Sequence, residues 1–218
     1  MNLAFFYDTE TTGLPLFKEP SEHPGQPHIV QLGACLVDLD TRVVHSTLDV
    51  IVKPEGWDIP DEVAAIHGIT TELGAAVGVP EAEAVGVPEA EAVGVFLAMW
   101  QRAACRIAHN ESFDARILRI ALMRHFPACE GEQAWADVWK AGVAQCTQLI
   151  STPILKLPPT EKMKRAGFLK HKSANLGEAY QHFTGKPLVG AHSAIVDVRA
   201  CMDVFFAATA PQPEAIAA

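Results

Sequence analysis

No apolar stretch in these 218 residues approaches the roughly 18 uncharged residues that a bilayer-spanning helix needs, so no membrane span is expected. The N-terminus carries no basic region ahead of its first apolar run, which leaves no secretory leader in view. Cysteines are few (Cys35, Cys105, Cys129, Cys146 and Cys201) and show no Cys-x-x-Cys spacing. A disulfide framework is therefore excluded, and reduced thiols in a cytoplasmic protein are the expectation. Cations are also scarce: 17 Lys and Arg face 26 Asp and Glu, for a net charge of −9. A uniformly basic surface of the kind that grips phosphate backbones without regard to sequence is ruled out. What the chain does have is 49% hydrophobic residues, enough for a substantial core. One domain over residues 1–207 is expected, followed by an Ala/Pro tail at 208–218 without order.

Chemistry enters with Asp8-Thr9-Glu10-Thr11-Thr12-Gly13, directly after the apolar run Leu3 to Tyr7. That run reads as a buried strand. Residues two apart on a strand share a face, so Asp8 and Glu10 point the same way. Two adjacent carboxylates repel and resist ionising unless a cation lies between them, and oxygen-rich sites suit Mg²⁺ or Mn²⁺. An Asp-x-Glu arises about once by chance in so acidic a chain, so context must carry the reading.

Two distant segments supply it. His109-Asn110-Glu111-Ser112-Phe113-Asp114 follows the short run Cys105 to Ala108 and opens a helix with the apolar stripe Ile117, Leu118, Ala121 and Leu122. Asp114 lies on that inward stripe, where an acid needs a partner. The third segment is Gly190-Ala191-His192-Ser193-Ala194-Ile195-Val196-Asp197. His192 and Asp197 can converge only if the histidine sits in the loop before the helix and the aspartate within it.

Together these motifs resemble the DEDDh branch of the DEDD exonuclease superfamily. Asp8-Thr9-Glu10 matches the first motif, Asn110-x-x-Phe113-Asp114 the second, and His192-x-x-x-x-Asp197 the third. Ile66-His67-Gly68-Ile69-Thr70 is similar to a further family segment. The resemblance spans about residues 3 to 206 and implies a ribonuclease-H-like α/β fold: a five-stranded mixed sheet, the first three strands antiparallel, flanked by helices. It implies catalytic residues Asp8, Glu10, Asp114, His192 and Asp197. Asp8, Glu10, Asp114 and Asp197 would hold two divalent cations, Mg²⁺ or Mn²⁺, with His192 as general base. The implied reaction is 3′→5′ release of nucleoside monophosphates from single-stranded or frayed DNA ends. The alternatives are the same chemistry on RNA ends, or a non-catalytic nucleic-acid or polymerase-docking module. A polymerase or repair partner is left open.

On the substrate side, Thr11, Leu14, Pro15, His67, Ile69 and Asn110 are candidate contacts beside these motifs, Leu14, Pro15, His67 and Ile69 through the same resemblance. Gly13 is a candidate because glycine lets the backbone approach a substrate. Residues 156–172 carry six Lys and Arg against Glu161, a net charge of +5 that could guide a strand inward. Strands are expected at 3–7, 29–37, 43–52 and 105–108, and helices at 112–126, near 173–183 and at 195–206. The octad Val77 to Ala84 recurs unchanged at 85–92. It reads as a tandem duplication that lengthens a surface connection.

Overall fold

The computed structural model describes residues 1–75 and 86–210. The chain begins with β1 (Leu3–Thr11), β2 (Ile29–Asp38), β3 (Val44–Lys53), α1 (Asp61–His67) and α2 (Thr71–Ala75). Next come β4 (Val87–Pro88), α3 (Glu89–Trp100), β5 (Cys105–Ala108), α4 (Glu111–His125) and α5 (Trp135–Ala141). The order closes with β6 (Ala144–Cys146), α6 (Thr147–Leu155), α7 (Glu161–Arg165), α8 (Leu176–Thr184) and α9 (Ala194–Ala208). Among the described residues no helix is long and apolar enough to cross a membrane.

The sheet runs β4-β3-β2-β1-β5-β6. β1, β2 and β3 are antiparallel as expected, and β5 and β6 run parallel to β1. There are six strands rather than five, because Val87 and Pro88 add a two-residue rung beside Val52 and Lys53. Only main-chain pairing makes this strand, so side-chain periodicity gives no sign of it.

Strand alternation divides the core. Phe5 and Tyr7 pack with Phe96, Leu118 and Trp139 beneath α3, α4 and α5. Ala4 and Phe6 pack with Cys35, Val198 and Phe205 beneath α9. Arg106 is buried within β5, where it pairs with Glu111 at 2.7 Å and donates to the Trp139 and Gly142 carbonyls. A buried cation needs that full set of partners.

β1 runs four residues beyond the apolar run that announced it. Its ladder continues Asp8↔Gly33, Thr9↔Leu32 and Glu10↔Gln31, with an irregularity between Glu10 and Thr11. The first motif is thus part of the strand. The last helix likewise extends to Ala208, so the tail expected from 208 does not begin there; residues 211–218 lie outside the described residues.

Candidate active site

Asp8 and Glu10 share the face of β1 that looks toward α9, as period-2 geometry requires. α9 reaches them because β2 carries glycine opposite Asp8. A Cβ on Gly33 would lie 2.6 Å from the Ala194 carbonyl carbon and 2.8 Å from the Ile195 nitrogen. The start of α9 therefore rests directly on the β2 backbone. Gln31, opposite Glu10, accepts the Ala194 N–H at 3.1 Å and donates to Asp49 at 2.8 Å.

Ahead of α9, His192 adopts φ 66° in the left-handed region, and Ser193 is extended before the helix begins. This turn folds the loop back, so that the His192 N–H donates to Asp197 Oδ2 at 3.1 Å. Ligand atoms of Glu10, His192 and Asp197 lie within 4.8 Å of one another. Asp114 arrives from the other side in the first turn of α4, after Asn110 takes the left-handed conformation (φ 63°) that asparagine tolerates better than most residues. The Thr9 N–H and hydroxyl both donate to Asp114 Oδ1, at 3.0 and 2.7 Å.

The electrostatics are those of acids held too close. Burial, then the charges of Asp114, Asp197 and Glu10, push the Asp8 carboxyl well above its ordinary range. Burial and Asp197 push Glu10 up to about 7. Burial also pushes Asp114 up to about 7, against the opposing Thr9 hydrogen bonds. Asp197 is raised by burial, partly offset by His192. Its Oδ1 is buried without a hydrogen-bond partner. An orphaned carboxylate oxygen among repelling acids is the arrangement a hard divalent cation satisfies.

Beside these acids lies a cavity of about 370 Å³. Glu10, Thr11, Gly13 and Leu14 form one wall, and Val63, Ile66 and His67 of α1 form the other, with Thr9 and Phe113 completing the lining. Leu14 is 72% exposed there, whereas Pro15 is buried. Burial lowers the pKa of His67, with the nearby His192 acting in the same sense and a contact with the Thr11 backbone opposing it. Ile69 does not line the cavity: it packs with Val30 and Ile59. Asn110 is not part of the lining either; it is exposed at the start of α4. Thr9, Gln31, Gly33, Val63, Ile66 and Phe113 were not among the residues expected here. Gly33 carried a sign of its role, since glycine inside an apolar strand marks close approach of another backbone.

Comparison with known proteins decides the class. Residues 5–205 match the RNase_T family, described as "Exonuclease". The chain belongs to this exonuclease family. A search of curated proteins returns no match. Solved structures share the fold of this RNase_T member. Escherichia coli exonuclease I in complex with a dT13 oligonucleotide is 18% identical over 94% of this chain and 41% of that one, with a TM-score of 0.66. The same enzyme with a dA16 oligonucleotide gives 18%, 94%, 41% and 0.64. The chain spans about two-fifths of the length of those exonuclease I chains. A larger depression of about 560 Å³ lies between Arg42, Tyr180, Lys186 and Phe206 and includes none of the five motif residues.

Proposed function

We propose that this RNase_T exonuclease removes nucleoside monophosphates from the 3′ ends of single-stranded or frayed DNA, with two divalent cations, Mg²⁺ or Mn²⁺. The observation that carries this reading is the convergence of Asp8, Glu10, Asp114, His192 and Asp197 from three distant segments beside a nucleotide-sized cavity. Asp8, Glu10 and Asp197 would hold one cation, and Asp114 with Asp8 the other. When bound, such a pair stabilises the attacking and leaving oxygens of a phosphodiester displacement. His192 stands exposed next to Glu10 and Asp197, where its imidazole would act as general base on the attacking water. Thr9 keeps Asp114 aimed, and Gln31 with Gly33 seats the turn that presents His192. Leu14 and Phe113 offer apolar contact to a terminal base whatever its sequence, while Thr11, Gly13 and His67 line the same cavity as Glu10.

The basic stretch supports delivery of a strand to this site. Lys156, Lys162, Lys164, Arg165 and Lys170 are exposed, and Phe168 stands 65% exposed among them. Its base is tied to the second motif, since His109 Nε2 lies 3.0 Å from the Ala174 carbonyl. Local positive charge next to stacking surface compensates for an acidic chain.

The test is a 5′-labelled single-stranded DNA 15-mer with Mg²⁺ or Mn²⁺, run beside the matched RNA. A metal-dependent ladder that shortens from the 3′ end and disappears in Asp8→Ala and His192→Ala is the expected result. The same ladder on RNA alone would reassign the substrate, and silence on both would overturn the reading.

A further inference from the structure

Behind the loop that follows β1 lies a charged cluster with no part in the proposed reaction. Glu89, the first residue of α3, is only 4% exposed. Its Oε1 accepts the Ile29 N–H at 2.9 Å. Its Oε2 lies 3.0 Å from His28 Nδ1, 3.0 Å from Arg124 Nη1 and 2.7 Å from His125 Nε2. Burial alone would raise this carboxyl, but the His125, His28, Ile29 and Arg124 contacts outweigh it and hold the group well below the ordinary range.

Two routes lead from this cluster to the cavity. Arg124 Nη2 donates to the Gln26 and Pro27 carbonyls at 3.0 and 3.1 Å. The Thr12 N–H donates to the His28 carbonyl, and the His28 N–H to the Thr12 hydroxyl, both at 3.0 Å. Residues 13–27 therefore leave and return through one point, immediately behind Gly13 and Leu14. Along the second route, the His28 ring stacks on Trp57 at 4.5 Å and 9°. Trp57 lies four residues ahead of α1, which supplies Val63, Ile66 and His67. One carboxylate thus connects to both walls of the cavity.

We infer that Glu89 is a positioning residue that sets the separation of these two walls around the 3′-terminal nucleotide, an inference that rests on the cavity function proposed above. A purely stabilising role fits poorly. Buried charge clusters often gain nothing in stability over apolar packing, and their attested contribution is a defined arrangement. Here one carboxylate organises donors from β2 and α4, and residues 13–27 have no regular structure of their own.

The experiment measures KM and kcat on single-stranded DNA for Glu89→Gln, Leu14→Ala and the double variant, together with trypsin cleavage after the exposed Lys18. Glu89→Gln should raise KM about tenfold, equivalent to about 1.4 kcal/mol, with kcat within about twofold of wild type. In the Leu14→Ala background that effect should shrink to under about twofold, because the wall contact it positions is already gone. Cleavage after Lys18 should accelerate several-fold. A loss confined to kcat, or a full KM effect persisting in the double variant, overturns the inference. Unchanged cleavage after Lys18 overturns the anchor whatever the activity. Absence of turnover in the wild type would count against the functional reading alone, leaving proteolysis to decide the anchor. If Glu89→Gln does not fold, Arg124→Lys keeps the charge, removes the second donor to Gln26 and Pro27, and must reproduce the signature.

Discussion

Removing one negative charge from the carboxylate cluster should make the metal-free protein more stable. Asp8, Glu10, Asp114 and Asp197 all have folded-state pKa values above those of the free side chains. Between about pH 4 and 7 the folded chain therefore binds more protons than the unfolded chain, and stability falls as pH rises through that window. Asp114 moves from 3.8 to about 7. At about 1.4 kcal/mol per unit, its ionisation costs on the order of 4 kcal/mol, with Glu10 adding less because it is partly exposed. The Asp114 figure of about 4 kcal/mol alone sets the scale. A protein of this size changes Tm by roughly 2–4 °C per kcal/mol, which makes the full penalty worth about 10 °C. Burial lowers the pKa of His67 and of His109, which works in the opposite sense as pH falls, so the comparison must keep the histidines constant. The assay is therefore thermal denaturation of EDTA-treated wild type and Asp8→Asn at about pH 6 and pH 8. Asp8→Asn should melt higher than wild type by about 3–5 °C at pH 8, and by much less at pH 6. Mn²⁺ at about 100 times its Kd should add about 2.7 kcal/mol to the wild type and much less to the variant. A variant that melts below wild type at pH 8, or a difference that ignores pH, would refute the repulsion argument.

Two further outcomes follow from packing. Gly33→Ala places a methyl group 2.6–2.8 Å from the backbone of Ala194 and Ile195, so α9 must shift. We expect a loss of about 1–3 kcal/mol in a urea melt. The fall in turnover should be larger, on the order of 100-fold, because Asp197 and His192 move with the helix; full activity would show that α9 is not seated by that contact. Deleting one octad should leave turnover within about twofold of wild type, since Gly74 and Gly86 already touch and the retained copy restores Glu89 to its cluster. Turnover lost along with native melting behaviour would show that the connection needs its full length.

How much of this was legible in the residues depended on how local the cause is. Asp8 and Glu10 fall on one face because strand period is a local property, and the His192–Asp197 spacing demanded a turn that φ 66° at His192 provides. The end of β1 was less legible. Carboxylates ordinarily end a strand, yet here β2 continues the ladder to Ile29 and α9 shelters the acids. Ile69 shows the same limit from the other direction, since a motif position identified by resemblance proved to be core.

Glu89 was the least legible of all. It stands at the fifth position of an octad whose other copy, 77–84, lies outside the described residues, and local sequence cannot tell Glu89 from Glu81. Helix phase can. Ala92, Val93, Phe96, Leu97 and Trp100 form the buried stripe of α3, and Glu89 begins that stripe. An octad advances a helix by about 800°, roughly 80° away from a whole number of turns. A glutamate eight residues upstream on a continuous helix would thus stand about a quarter turn round and about 12 Å along the axis from Glu89, out of reach of His28 and Arg124. The copy adjoining Val93 is the one that can both start the stripe and reach the cluster. Its Gly86 is set by the close approach to Gly74, and its Val87 and Pro88 pair with β3. The second octad is therefore part of the sheet and core from Gly86 onward.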